Sequence, residues 1–242
     1  MNPALALLFS IALAASARAQ SFVNFEPHQT RPVCLSPDGT RLFVVNTPDA
    51  RLSVFDVSNP SNPAPVLIRE IPVGLDPVSV NAVSNEEAWV VNEVSDSISI
   101  VSVAEGIATD TLACPDEPAD VVFAGGSAWV TCSRNNTLRA FHLTTHAAQA
   151  TLALEGLNPR SLAVSLDGTK VYAAFALSGN RTTLLPVPLA PAQPNIAGLP
   201  ASPQVSLIVT ADDNRLMPKP NMPDNDVVEV DAATRTDRKS VV

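Results

Sequence analysis

Four prolines set a period on this chain. Pro32, Pro77, Pro118 and Pro159 fall 45, 41 and 41 residues apart, and the segments after each of them recur in the same order. Asp76-Pro77-Val78-Ser79-Val80 leads to Ala88-Trp89-Val90-Val91-Asn92, then to the alternating run Ile98–Val103. Glu117-Pro118-Ala119-Asp120-Val121 leads to Ala128-Trp129-Val130-Thr131-Cys132 and then to Leu138–Leu143. The same order is present from Arg31 through Asn46 to Val57, and again from Asn158 to Phe175. A period near 40 with several short strands per unit is the signature of a β-propeller, in which each repeat is one blade that buries its faces only against its neighbours. The predicted fold is therefore all-β, with about four blades of four strands.

Composition agrees. The apolar fraction is 46% but aromatics are only 5%, and Gly, Pro, Asn, Asp and Ser interrupt the chain every few residues. That pattern favours many short strands. With 15 basic against 24 acidic residues and a net charge of −9, the chain lacks the clustered cations that nucleic acid or an anionic membrane surface requires. Ala4 to Ala15 is an apolar run too short to span a bilayer comfortably. Ala17-Arg18-Ala19 then supplies a small-x-small cleavage pattern, so residues 1–19 read as a signal peptide, although its first residues carry no basic side chain. No later stretch reaches the length of a membrane span, and the mature chain is expected to be exported.

Repeats are placed near 31–75, 76–116, 117–157 and 158–236, each read as strands a to d from the inside outward. Pro37-Asp38-Gly39 and Leu166-Asp167-Gly168 mark tight a–b hairpins, because Gly accepts positive φ at no steric cost. The fourth repeat is interrupted by a Pro-rich insertion near 177–225, which contains one strand candidate at Val205–Thr210 and rejoins the repeat at Val227–Asp231. After Asp231 no clear d strand is visible, so the last blade is expected to be incomplete. Residues 237–242 resemble the translation of a sequencing adapter and are set aside as a suspected non-native tail. Ser21–Glu26 alternates polar and apolar and reads as a strand ahead of the first repeat.

Pro32 to Asn46, with the sequence Pro-Val-Cys-Leu-Ser-Pro-Asp-Gly-Thr-Arg-Leu-Phe-Val-Val-Asn, resembles the unit of YVTN-type β-propeller repeat proteins. The match continues through Ser53–Val57, recurs at Trp89-Val90-Val91-Asn92, and weakens at Trp129-Val130-Thr131-Cys132 and Tyr172-Ala173-Ala174-Phe175. It covers residues 31 to 176. The resemblance implies an exported or cell-surface protein. The missing fourth d strand and the unclosed ring lead to the expectation of a longer chain whose remaining blades complete a seven-bladed propeller. Neighbouring propeller groups include lactonases and domains attached to electron-transfer modules.

Chemistry-bearing residues are sparse. Repeat alignment puts Cys114 at the end of one strand d and Cys132 at the end of the next strand b. A Cys114–Cys132 disulfide is compatible with that placement in an oxidising compartment, the alternative being two small buried apolar side chains. Cys34 reads as a buried free thiol. His142 and His146 flank a strand end, which denies them a shared helix face for a metal, and His28 stands alone. Asp212-Asp213-Asn214 and Asp224-Asn225-Asp226 read as solvated turns without calcium-loop spacing. There is no Gly-x-Ser-x-Gly and no Cys-x-x-Cys, so neither a catalytic site nor a cofactor is expected. Trp89, Trp129, Phe43 and Tyr172 share one register and are expected to pack between blades. Asn46 and Asn92 are expected to bond to loop backbone. Candidate ligand-face residues are Asp76, Asn92, Glu117 and Asp120, close to the b–c and d–a connections.

The leading functional expectation is a binding scaffold that presents loops on one face to a protein or small-molecule ligand. One alternative is a lactonase-like hydrolase that uses acids and histidines at the centre. Another is the sensor or docking half of a redox protein, whose cofactor module would bring a Cys-x-x-Cys-His segment further along.

Overall fold

The computed structural model describes residues 29–61, 64–154, 156–177, 182–185, 207–212, 215–216 and 227–238. The expected signal peptide at residues 1–19, Ser21–Glu26, His28, Asp224-Asn225-Asp226 and most of the insertion lie outside the described residues. The described residues form antiparallel sheet. β1 (Val33–Leu35), β2 (Arg41–Asn46), β3 (Arg51–Asp56) and β4 (Val66–Pro72) form the first sheet in chain order. β5 (Pro77–Ala82), β6 (Glu87–Asn92), β7 (Ser97–Ser102) and β8 (Ile107–Ala113) form the second, and β9 (Pro118–Ala124), β10 (Ser127–Cys132), β11 (Thr137–His142) and β12 (Ala148–Ala153) the third. In the fourth, β13 (Leu157–Val164) and β14 (Lys170–Leu177) are succeeded by an excursion, β15 (Thr182–Leu185), β16 (Leu207–Asp212) and β17 (Arg215–Leu216), which pair among themselves. The blade resumes with β18 (Val227–Asp231) and β19 (Thr236–Arg238). These four sheets are the blades of a propeller whose described part is an open array.

Two differences from the sequence reading stand out. The fourth sheet has an outer strand after all: β19 is three residues long and pairs Thr236 with Asp231 and Arg238 with Glu229. It was invisible in the sequence because Thr-Asp-Arg has no apolar alternation, and its pairing takes in two residues of the segment set aside as a tail. Inside the insertion the strand lies at Leu207–Asp212, two residues later than Val205–Thr210, and takes partners on both sides.

Local chemistry explains the hairpins. In the first a–b turn Asp38 accepts from Ser36 Oγ at 2.6 Å, Thr40 N at 3.0 Å and Thr40 Oγ1 at 2.8 Å, while Gly39 takes φ +70°. The fourth repeat copies this: Asp167 accepts from Ser165 Oγ, Thr169 N and Thr169 Oγ1, and Gly168 sits at φ +68°. Those donors hold the Asp167 carboxyl down to about 2, the Ser165 hydroxyl contributing most.

Packing obeys strand parity. In the second blade Trp89, Val91, Ile98 and Ile100 turn toward Val121, Val130 and Phe141 of the third, while Ala88, Val90, Val101 and Val103 turn toward Phe43, Val45, Leu52 and Val54 of the first. Trp129, Leu138 and Ala140 meet Val171, Ala173, Val228 and Val230 of the fourth. Each junction is thus a separate slab of interdigitated side chains, and the expected inter-blade role of Phe43, Trp89 and Trp129 is what the structure has. Trp89 meets Phe123 edge-on at 5.7 Å. Val78–Ala82, Val121–Phe123 and Leu162–Val164 belong to three different sheets as innermost strands.

The axis is held by polar contacts. Arg31 runs parallel to Ser79, donating its N to Val78 O and accepting from Val80 N. Asp120, fully buried, accepts four bonds: Ser79 Oγ at 2.6 Å and Val121 N at 2.9 Å on Oδ1, and Leu162 N at 2.8 Å and Arg31 Nη2 at 3.2 Å on Oδ2. The same Arg31 Nη2 donates to Leu162 O at 2.6 Å. One carboxylate therefore touches all four repeats. Removing one member of a buried ion pair strands the rest, and because Arg31 is a third exposed the low end of the usual range applies. Asp120→Ala should lower the unfolding free energy by about 3 kcal/mol, read as a lower urea midpoint at unchanged m-value; a shift below a few tenths would remove Asp120 from this role.

Candidate functional site

The b–c connections are four residues long in the first three blades: residues 47–50, 93–96 and 133–136. Each closes on a left-handed residue, Ala50, Asp96 or Asn136, at φ between 49° and 53°. The lead-ins before the marker prolines, Asp76, Glu117 and Asn158, are also left-handed. Short polar side chains suit these positions because they bond locally and tolerate αL. Asp96 Oδ1 accepts from Glu117 N at 2.9 Å, and Asn136 Oδ1 accepts from Asn158 N at 2.7 Å. The loop of one blade thereby fixes the lead-in of the next, and both sets of residues gather on one face.

Between the second and third blades this face opens into a cavity of about 440 Å³ lined by Asp76, Glu93, Val94, Asp96, Asp116, Glu117 and Arg134. Five carboxylates surround it against one guanidinium. Arg134 lies at the exposed rim, 3.4 Å from Glu117 Oε1. A second hollow of about 330 Å³ shares Glu117 and Arg134 and continues along Ser133, Asn136, Leu157 and Asn158.

Glu93 is the unusual member. At the corresponding position of the first and third repeats stand Thr47 and Ser133, whose hydroxyls donate at 2.8 Å to the carbonyls of Pro77 and Pro159. An ionised carboxylate cannot make that bond. Glu93 Oε1 instead accepts from Arg160 Nη1 at 3.0 Å, in the fourth repeat, while Oε2 is buried with no hydrogen-bond partner among the described residues. Only 7% of the residue is exposed, and this burial pushes its carboxyl up from 4.5; Arg160 pulls it back, and Glu117 and Asp76 push it further up.

Of the sequence candidates, the structure brings Asp76 and Glu117 together at the cavity. Asp120 does not belong to the face: its carboxylate is spent on the four bonds at the axis. Asn92 is fully buried too, donating to Ser97 Oγ at 3.2 Å and Ser99 Oγ at 3.0 Å, and Asn46 donates to Asp49 Oδ2 at 3.0 Å, so both amides serve side chains where loop backbone was expected. Cys114 and Cys132 Sγ lie 3.2 Å apart, both buried and both as free thiols. Donation to Cys132 and then burial push the Cys114 thiol far up. Cys34 is half-buried, a correction to its buried reading, with Sγ 3.1 Å from Leu35 O. His142 Nδ1 accepts from the turn amides of Thr144 and Thr145, and His146 Nδ1 lies 2.7 Å from Asp110 Oδ2. Among the described residues no three His, Cys, Asp or Glu side chains are arranged to hold a metal ion.

Glu93, Asp96, Asp116, Arg134 and Arg160 were missed as site residues. Superposing the repeats carries a signal for two of them: Glu93 is an acid where the first and third repeats have Thr47 and Ser133, and Arg160 is a cation on β13 where the other repeats have Val33, Val78 and Ala119. Asp96, Asp116 and Arg134 sit in loops whose convergence only the fold supplies.

No family model matches the chain, and no curated protein matches it. Solved structures share its architecture. Hydrazine synthase from Kuenenia stuttgartiensis superposes with a TM-score of 0.56 at 21% identity, over 68% of this chain and 47% of that one. A functionally unknown protein from Desulfotomaculum acetoxidans DSM 771 gives 0.54 at 14% identity, over 62% of this chain and 49% of that one. The chain spans about half the length of these structures, and at such identities the likeness is one of fold, a propeller-like array.

Gly74 seats the buried amide beside the cavity. A Cβ there would lie 2.5 Å from Ser95 Oγ and 2.6 Å from Asn92 Nδ2, and Asn92 is walled in. Gly74→Ala should therefore cost about 1–3 kcal/mol, measured by chemical denaturation; a neutral result would mean that Asn92 has room to move.

Proposed function

We propose that this chain is part of an exported YVTN-type propeller that works as a binding scaffold, and that its loop-face cavity takes a positively charged group. The observation that carries this is the cavity itself: five carboxylates and one exposed arginine, with a buried Glu93 oxygen left without a partner among the described residues. Carboxylates packed this closely repel one another, and a ligand cation relieves that repulsion. The volume suits an amine, a guanidinium or a lysine side chain offered by a protein partner. Export rests on the resemblance and on the leader-like N-terminus, and a longer ring on the open array of the described blades. The hydrolase alternative has less support. Among the described residues, His142 and His146 stand at the c–d end of the strands, opposite the acidic loops, so these two histidines are separated from the acids of the cavity.

Titration calorimetry at low salt with 1,4-diaminobutane and with a lysine-rich peptide tests the reading and distinguishes a small amine from a protein side chain. Binding should weaken about tenfold in Asp116→Asn/Glu117→Gln and should fall with added salt. Absence of binding by either probe would refute it.

Glu93 makes the binding pH-dependent. Its carboxyl is raised, so its charge arrives late as pH climbs above 4.5. Amine affinity should keep rising between pH 4.5 and 7 in the wild type and should level off earlier in Glu93→Gln. Identical pH profiles would remove Glu93 from the site.

A further inference from the structure

We propose that Cys114 and Cys132 are joined by a disulfide in the working protein, a covalent staple between the second and third blades. Their sulfurs are 3.2 Å apart, and a bond of about 2.05 Å needs a closure of roughly 1 Å, within reach of small side-chain rotations. Backbone placement supports it. Cys114 comes directly after β8 and donates its N to Asp96 O at 2.8 Å, which anchors it to the second blade. Cys132 closes β10 and is registered against Pro118 in the third.

The repeat gives a second, independent argument. Val73 and Leu154 donate their N to Ala50 O and Asn136 O just as Cys114 does to Asp96 O, so these three positions correspond. Cys132 corresponds to Asn46 and Asn92, the last residues of β2 and β6. Each position is thus occupied by an unrelated side chain in the other repeats. The corresponding pairs at the other two junctions are Val73 with Asn92 and Leu154 with Phe175, so cysteine stands in both positions only between the second and third blades.

Formation is a thiol–disulfide exchange with a disulfide donor such as oxidised glutathione. One thiolate attacks the donor and releases a thiol; the other cysteine then displaces the second, so the donor leaves as two thiols and the chain is oxidised by two electrons. Because both sulfurs are buried, exchange takes place before the blades close or during local opening. The bond would tie the segment carrying Asp116 and Glu117 to the strand end that leads into Arg134. It would therefore brace the wall of the acidic cavity, whether or not that cavity binds a cation.

The test is a peptide map of the full chain, refolded in a glutathione redox buffer and alkylated under denaturing, non-reducing conditions. A cross-linked pair containing Cys114 and Cys132 is expected, with Cys34 alkylated. Reduction should lower the Tm by about 5–10 °C, and Cys114→Ala/Cys132→Ala should be indifferent to reductant. Alkylation of both cysteines without prior reduction, or a bond that includes Cys34, would overturn the assignment. The map reads the bond directly, so its outcome is independent of amine binding.

Discussion

A buried carboxylate at the axis is the constraint on which the array depends. Apolar slabs set the distance between blades but are poor at fixing registry, because hydrophobic burial is non-directional and Val, Ala and Leu can slide past one another. Asp120 supplies direction. An ionised carboxylate offers about four acceptor sites, and here a hydroxyl, two backbone amides and a guanidinium occupy them. Those donors come from four repeats, so no blade can rotate about its neighbour without leaving a charge unsatisfied in the interior. The arrangement also explains why Arg31, which precedes β1, stays at the centre: its side chain bridges Asp120 and Leu162 O, two and three blades away.

The repeat turns this local device into a readable plan. Where the repeats agree, the residues form strands, hairpins and slabs. Departures mark something else. Asp120 stands where the other repeats have Cys34, Ser79 and Ser161; Glu93 stands where they have Thr47 and Ser133; Arg160 stands where they have Val33, Val78 and Ala119. These three charged substitutions account for two ion pairs that skip a blade, Arg31–Asp120 and Glu93–Arg160. The cysteine pair is a departure of the same kind.

Much of the fold was legible because its determinants are local. Alternation with a period of two, Asp-Gly turns and prolines at strand starts are written within five or six residues, and β18 was placed at Val227–Asp231 to the residue. β19 was not legible: a short outer strand owes its existence to the unpaired edge of β18 rather than to its own sequence. The site was half legible. Asp76 and Glu117 were recognised from their place before the marker prolines, yet Asp120, three residues beyond Glu117, was assigned to the same face when the strand carries it inward. Pairings such as Glu93 with Arg160, 67 residues apart, have no local signature at all.

The fourth blade shows how little its core asks of the loop that joins its middle strands. Elsewhere β2–β3, β6–β7 and β10–β11 are bridged by four residues, but about fifty separate β14 from β18. The ladder is nonetheless continuous, from Lys170 opposite Asp231 to Ala174 opposite Val227. Closure entropy grows only logarithmically, so lengthening the bridge this far costs on the order of 2 kcal/mol, which the slab of Val171, Ala173, Val228 and Val230 can absorb. That connection is a port at which the scaffold can host foreign sequence, and a new recognition segment grafted there would inherit a rigid base without disturbing the spokes beside it.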